Sequence, residues 1–273
     1  MQNLDPTVWE LFDLTGEVII VTGAPGQLGT QMSFALAEAG ANVVVTSRTL
    51  SDCELLASRL DQEYNESLPF AADVTNESDV TDLVDATLRN FGRIDGLVNN
   101  AYSAKGYGKN LQDLSVSEWK SAMDGILTQT FICVKSVQPH LAESPNGTIT
   151  NIASHYGLVS PDQRIYADTD MNNPPNYGAA KAGLMQFTRW LSTYLANDNI
   201  RVNNIVPGGF YNEELAQRKG YTEEFLPNYE HRTPLGRMGD STDLKGAVVF
   251  LNSMASKWMT GQDLIIDGGW TAW

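Results

Sequence analysis

Apolar runs of strand length alternate with helix-period segments along almost the whole chain. The strand candidates are "VIIVTG" (18–23), "NVVVTS" (42–47), "SLPFAA" (67–72), "IDGLVNN" (94–100), "GTITNIAS" (147–154), "IRVNNIVPG" (200–208) and "DLIIDGG" (263–269). Several lack strict apolar/polar alternation, as expected of strands covered on both faces in a parallel sheet. The segments between them carry helix-start signals. Ser51 with Glu54, and Ser115 with Glu118, have capping-box spacing, and Pro174 and Pro175 stand where proline suits a first turn. The pattern predicts an α/β fold, a doubly wound Rossmann-type arrangement with a seven-stranded parallel sheet flanked by helices on both faces. No repeat, low-complexity tract or linker divides the chain, so residues 1–273 are expected to form a single catalytic domain. Two irregular stretches interrupt the pattern, an insert at 160–175 and a segment at 208–236 with the character of a substrate lid.

Composition narrows the classes. A net charge of −15 disfavours nucleic acid and anionic membrane surfaces as partners. No apolar run has the length of a membrane span, and "MQNLDPTVWELFDL" has acidic residues where a signal peptide needs basic ones, so a cytoplasmic location is expected. Cys53 and Cys133 lie far apart outside any CxxC pattern, which fits a reducing compartment. His140, His155 and His231 are too scattered for a zinc site, so no metal is expected. There is no P-loop and no G-x-S-x-G elbow.

Gly23, Gly26 and Gly29 fall between the first strand and an Ala/Leu-rich helical run, the context of a dinucleotide site. Gly23 would permit the tight turn, Gly26 close approach to a diphosphate, and Gly29 close helix–strand packing. The helix N-terminus would then face the anion. A plain strand-to-helix turn would also carry glycine, so the triplet alone leaves both readings open. At the end of the second strand, "VVVTSRTL" offers Ser47 and Arg48 and no carboxylate, which favours NADP, with NAD possible if Arg48 is only a solvated loop residue.

Tyr177 has a lysine four positions on, Lys181, on the same helical face. An ammonium beside a phenol would lower its pKa for proton transfer. Ser154, at the end of a strand, could hold the oxygen of a carbonyl under reduction.

These residues carry a resemblance. The chain resembles the short-chain dehydrogenase/reductase family over essentially its whole length, through "TGAPGQLG", Asp73 in "ADVT", "NNA", "NIAS", "YGAAK", "IRVNNIVPGG" and "TGQDLIIDGGW". The resemblance implies an NAD(P)-dependent oxidoreductase interconverting a ketone and a secondary alcohol, with Ser154, Tyr177 and Lys181 catalytic. It implies that Gln27 and Leu28 join the glycine turn around the cofactor, and that Asp73 and Val74 contact the adenine. Asn99 would steady the central strands beside Ala101, and Lys181 would bond the nicotinamide ribose. Pro207, Gly208 and Gly209 would complete the surface. Family members usually assemble as homotetramers or dimers.

Three positions depart from the family pattern. Glycine stands at 26 and Gln27 occupies the usual glycine position, a spacing like that of sugar-nucleotide epimerases and dehydratases. Ile126 stands where the family has a helix asparagine that supports a proton relay; either another polar group substitutes, Gln129 lying one turn on, or the relay is slow. Ser154 and Tyr177 are further apart than usual, and the extra stretch offers Asp162, Gln163, Arg164, Tyr166, Asp168 and Asp170. Either the stretch is a surface or subunit-contact loop, or it forms the rim for a polar, sugar-like substrate touched by His155, Arg164, Tyr166 and Phe210, as in reductases of bacterial surface-sugar pathways. The alternatives are a non-catalytic dinucleotide-binding regulator, motivated by Ile126, a sugar-nucleotide epimerase or dehydratase, and a 3-ketoacyl-thioester reductase. The acidic surface disfavours the last, because carrier proteins are themselves acidic.

Overall fold

A computed structural model describes residues 5–103, 105–106, 108–166, 171–213, 216 and 225–273. The sequence expectations at Asp168 and Asp170, and much of the 208–236 segment, lie outside the described residues.

All seven predicted strands are present: β1 (Val18–Thr22), β2 (Asn42–Ser47), β3 (Ser67–Ala71), β4 (Gly96–Asn99), β5 (Thr148–Ile152), β6 (Arg201–Pro207) and β7 (Asp263–Ile266). They form one sheet in the order β3-β2-β1-β4-β5-β6-β7, and every pairing is parallel. The order reverses between β1 and β4, and the crevice at the carboxyl ends of these two strands is where such sheets bind ligands.

Period-two side-chain alternation divides the core. Ile19, Val21, Val43 and Val45 pack beneath α2 (Gln27–Glu38), α3 (Leu50–Glu63) and a helix near the C-terminus. Val18, Ile20, Val44, Leu97 and Ile149 point the other way, against α4 (Glu77–Phe91), α6 (Gln129–Leu141) and α7 (Pro175–Tyr194). Both faces are apolar, which is why the strands read as near-continuous runs. The other α-helices whose bounds are described are α1 (Val8–Phe12), α5 (Val116–Met123), α8 (Phe225–Arg232) and α9 (Lys245–Asn252), the last being the C-terminal helix of the first face. No helix among the described residues is long and apolar enough to cross a membrane.

The capping signals split. Ser115 and Glu118 form the expected box at α5, and Pro175 opens α7 with Pro174 before it. Ser51 and Glu54 do not form a box. α3 starts two residues earlier than a cap at Ser51 would set it, at Leu50 after Thr49, so Ser51 lies inside the helix, where its hydroxyl cannot cap. Between α5 and α6 the chain makes a π-helical turn, Asp124–Thr128, which includes Ile126.

Candidate active site

The first turn of α2 follows β1 through Gly23, whose φ of +63° suits glycine. A Cβ at Gly23 would lie 2.9 Å from the Cα of Ala101, and one at Gly29 would lie 2.4 Å from the Gly23 carbonyl oxygen. Gly29 therefore serves packing and is not on the cavity wall, whereas Gly23, Gly26, Gln27 and Leu28 are. Asn100 pins the turn: its side-chain nitrogen donates to the carbonyls of Thr22 and Gly23, each at 3.0 Å. No side chain caps α2 at Gly26, so its first N–H groups face a cavity wall available to an anion.

That cavity, about 1610 Å³, runs along the carboxyl edge of the sheet. It exceeds a usual small-molecule pocket and has room for a dinucleotide and a second ligand. One end is lined by Ser47, Arg48, Asp73 and Val74, the middle by the glycine turn with Ala101, and the other end by Ser154, Tyr177, Lys181, Pro207, Gly208 and Gly209. Uncapped helix N–H groups, a turn that excludes side chains and an arginine with no carboxylate on β2 all fit an NADP-type dinucleotide. Asn99 stands behind the wall, where its amide donates to Asn151 Oδ1 at 2.8 Å.

This bond begins a buried ladder. Asn151 donates to Thr188 Oγ1 at 2.8 Å, Thr188 donates to Asn204 Oδ1 at 2.8 Å, and Asn204 donates to Asp263 Oδ1 at 2.7 Å. The ladder joins β4, β5, β6 and β7 to the middle of α7, the helix that carries Tyr177 and Lys181. At the start of that helix, buried Asn176 donates to the carbonyls of Lys105 and Glu118.

Ser154 is buried and accepts the N–H of Tyr156 at 3.2 Å, which fixes its rotamer, and its hydroxyl lies close enough to the Tyr177 phenol to lower that group's pKa. Lys181 is also buried. Its Nζ donates to the Ile152 carbonyl at 2.5 Å and lies 5.8 Å from the centroid of the Tyr177 ring. Desolvation pulls the lysine down to about 7. The Tyr177 phenol moves opposite to the sequence expectation: burial raises its pKa, outweighing the lowering by the Ser154 hydroxyl. The lysine does not lower it in this state, because the same burial disfavours the ammonium.

Ile126 packs against Ala180 and Leu184, and Tyr177 borders that cluster. Gln129 lines the cavity, with its amide nitrogen committed to the Ala101 carbonyl. Of the substrate candidates, His155, Tyr166 and Phe210 line the cavity. Arg164 does not. It forms a two-pronged pair with Asp162 and its side chain is 87% exposed, because a short helical turn at Gln163–Tyr166 turns it outward. His155 Nδ1 donates to the Pro207 carbonyl, 3.0 Å away, since a carbonyl oxygen only accepts, and desolvation lowers the imidazole to about 4, so it is neutral. The sequence reading missed Asn100, Tyr102, Tyr156, Asn172 and Tyr229 on the wall. Asn100, beside the selected Asn99, was the most accessible of these. Tyr229 comes from the segment without periodicity.

A family model described as enoyl-(acyl carrier protein) reductase matches residues 23–271. The chain belongs to the short-chain dehydrogenase/reductase family. It is an NAD(P)-dependent oxidoreductase of the ketone/secondary-alcohol type. A 2-dehydro-3-deoxy-D-gluconate 5-dehydrogenase from Formosa agariphila is 31% identical over 95% of this chain and 94% of its own. A 5-keto-D-gluconate 5-reductase from Escherichia coli is 29% identical over 95% of this chain and 97% of its own. Among solved structures, a gluconate 5-dehydrogenase from Burkholderia cenocepacia in complex with NADP and tartrate is similar with a TM-score of 0.87 and 28% identity, covering 98% of this chain and 100% of that one.

Proposed function

We propose that this short-chain dehydrogenase/reductase is NADP-preferring and interconverts a ketone and a secondary alcohol on a polyhydroxylated substrate of the sugar or sugar-acid class. The observation that carries the reading is that Ser154, Tyr177 and Lys181 stand together on the same cavity wall as the glycine turn, with Lys181 Nζ 5.8 Å from the centre of the Tyr177 ring. Arg48 and the absence of a carboxylate on β2 support a 2′-phosphate. Asn172, Tyr166, Ser103 and Lys105 on the substrate side support a ligand with several hydroxyls and an acidic group. The names of the two sugar-acid relatives agree with that class.

When bound, the dinucleotide supplies or accepts the hydride. Ser154 holds the substrate oxygen by hydrogen bond. Tyr177, kept as a neutral phenol by burial, gives its proton to that oxygen in the reducing direction. Lys181 stabilises the phenolate left behind, and with a pKa near 7 it can exchange protons at neutral pH. Tyr177→Phe is expected to lower turnover by about 10²–10⁴-fold. Its nicotinamide fluorescence titration should stay near wild type, and undiminished turnover would reject Tyr177 as the acid. Titration of the wild type with NADPH and NADH tests the cofactor; equal or tighter NADH binding would overturn the preference. A panel of keto-sugar acids, ketoses and acyl thioesters, followed by nicotinamide absorbance, tests the substrate class.

A further inference from the structure

Gln27 stands where the family pattern has glycine, and its side chain has a definite use. The amide nitrogen donates to the Tyr211 carbonyl at 2.5 Å, and the amide oxygen accepts from Asn212 Nδ2 at 2.7 Å. Both bonds join the β1–α2 turn to the segment after β6, and Gln27 and Asn212 both line the large cavity. The segment is held from behind as well. Gly209 donates to the Tyr229 hydroxyl at 2.6 Å, Gly239 donates to the Gly209 carbonyl at 2.9 Å, and Tyr211 donates to the Gly239 carbonyl at 2.9 Å.

We infer that the Gln27–Asn212 amide pair is a latch that holds the substrate-side segment against the diphosphate turn and slows release of the dinucleotide. The inference rests on the dinucleotide reading of this cavity. Three considerations carry it. One planar amide donates to one residue and accepts from the next, so both the distance and the orientation of the two walls are set. A glycine at 27 has no side chain to make either bond, so the latch is a consequence of this chain's departure from the pattern. Finally, the side chain turns toward Tyr211 and Asn212 and does not cap its own helix, so the N–H groups of α2 stay open to an anion. Gln27 is thus a positioning residue. It acts through the segment that it holds.

The bonds are partly solvated, so the effect is modest. Loss of a neutral hydrogen-bonded pair is expected to speed release by about 3–10-fold. Release of NADPH is measured by stopped-flow displacement, read by nicotinamide fluorescence, from the wild type, Gln27→Gly, Asn212→Ala and the double variant. Melting temperatures check that each is folded, and glycine at 27 is the family's usual residue, so Gln27→Gly is compatible with the fold. The expected result is faster release from each single variant, association within about twofold of wild type, and no gain in the double variant beyond Gln27→Gly, because Gln27→Gly removes both bonds and Asn212→Ala removes only one of them. Release unchanged in both single variants, or a double variant equal to the product of the two, overturns the latch alone. If the wild type binds neither NADPH nor NADH, the dinucleotide reading falls and the latch with it.

Discussion

At the residue scale, burial decides which charge states the site can use. Tyr177, Lys181 and His155 are each displaced toward the neutral form by the same cause, removal from water. His155 is the clearest case for stability. Its ordinary pKa of 6.5 falls to about 4 in the folded chain, so between those values the unfolded chain binds the extra proton and stability rises with pH. The contribution is fully present above pH 6.5 and is lost as pH falls through about 4. Over that window the loss is on the order of 3 kcal/mol. Melting temperature followed from pH 7 to 4 should therefore fall more steeply in the wild type than in His155→Gln, whose amide can still donate to Pro207. Identical slopes would show that His155 is not buried neutral. Tyr177 and Lys181 could be selected from the sequence because helical spacing puts them on one face. The direction of the phenol's shift could not, since it depends on how much water the surrounding loops exclude.

At the element scale, α7 is the part whose placement matters most. Its apolar stripe seats it on the sheet, but the Asn99–Asn151–Thr188–Asn204–Asp263 ladder sets its register against four strands. Thr188 is the hinge of that ladder, accepting from Asn151 and donating to Asn204, and it is fully buried. Thr188→Val keeps the shape and strands two amides, so unfolding in denaturant should show a loss of about 1–3 kcal/mol. Turnover should fall together with stability, because Tyr177 rides on the same helix. A neutral substitution would mean that the ladder does not position α7. The strands themselves were legible as apolar runs, and so was the box at Ser115. The box at Ser51 was not a true signal: the spacing occurs one residue inside the helix, and spacing alone does not say which residue is the last non-helical one.

At the scale of the whole molecule, a net charge of −15 goes with one large cavity along the carboxyl edge of the sheet, and one helix face remains apolar. On α7, Trp190 is 53% and Tyr194 is 66% exposed, and their rings stack at 4.6 Å with Phe187 alongside. The homo-oligomer that the family resemblance implies would cover this face. Sedimentation velocity should give a mass that is a multiple of 29.9 kDa for the wild type and a smaller species for Trp190→Glu. A wild type that sediments as a single chain would reject the assignment. The sequence by itself determined the seven strands, the two-sided burial of the sheet, the glycine turn and the Tyr177–Lys181 pair, because each is written in neighbouring residues as a period or a spacing. Only the tertiary structure decided that Gln27 reaches Asn212, that Arg164 turns outward to Asp162, and that burial raises the Tyr177 phenol. Those outcomes depend on distances between segments remote along the chain and on the water they exclude, and no local pattern encodes either.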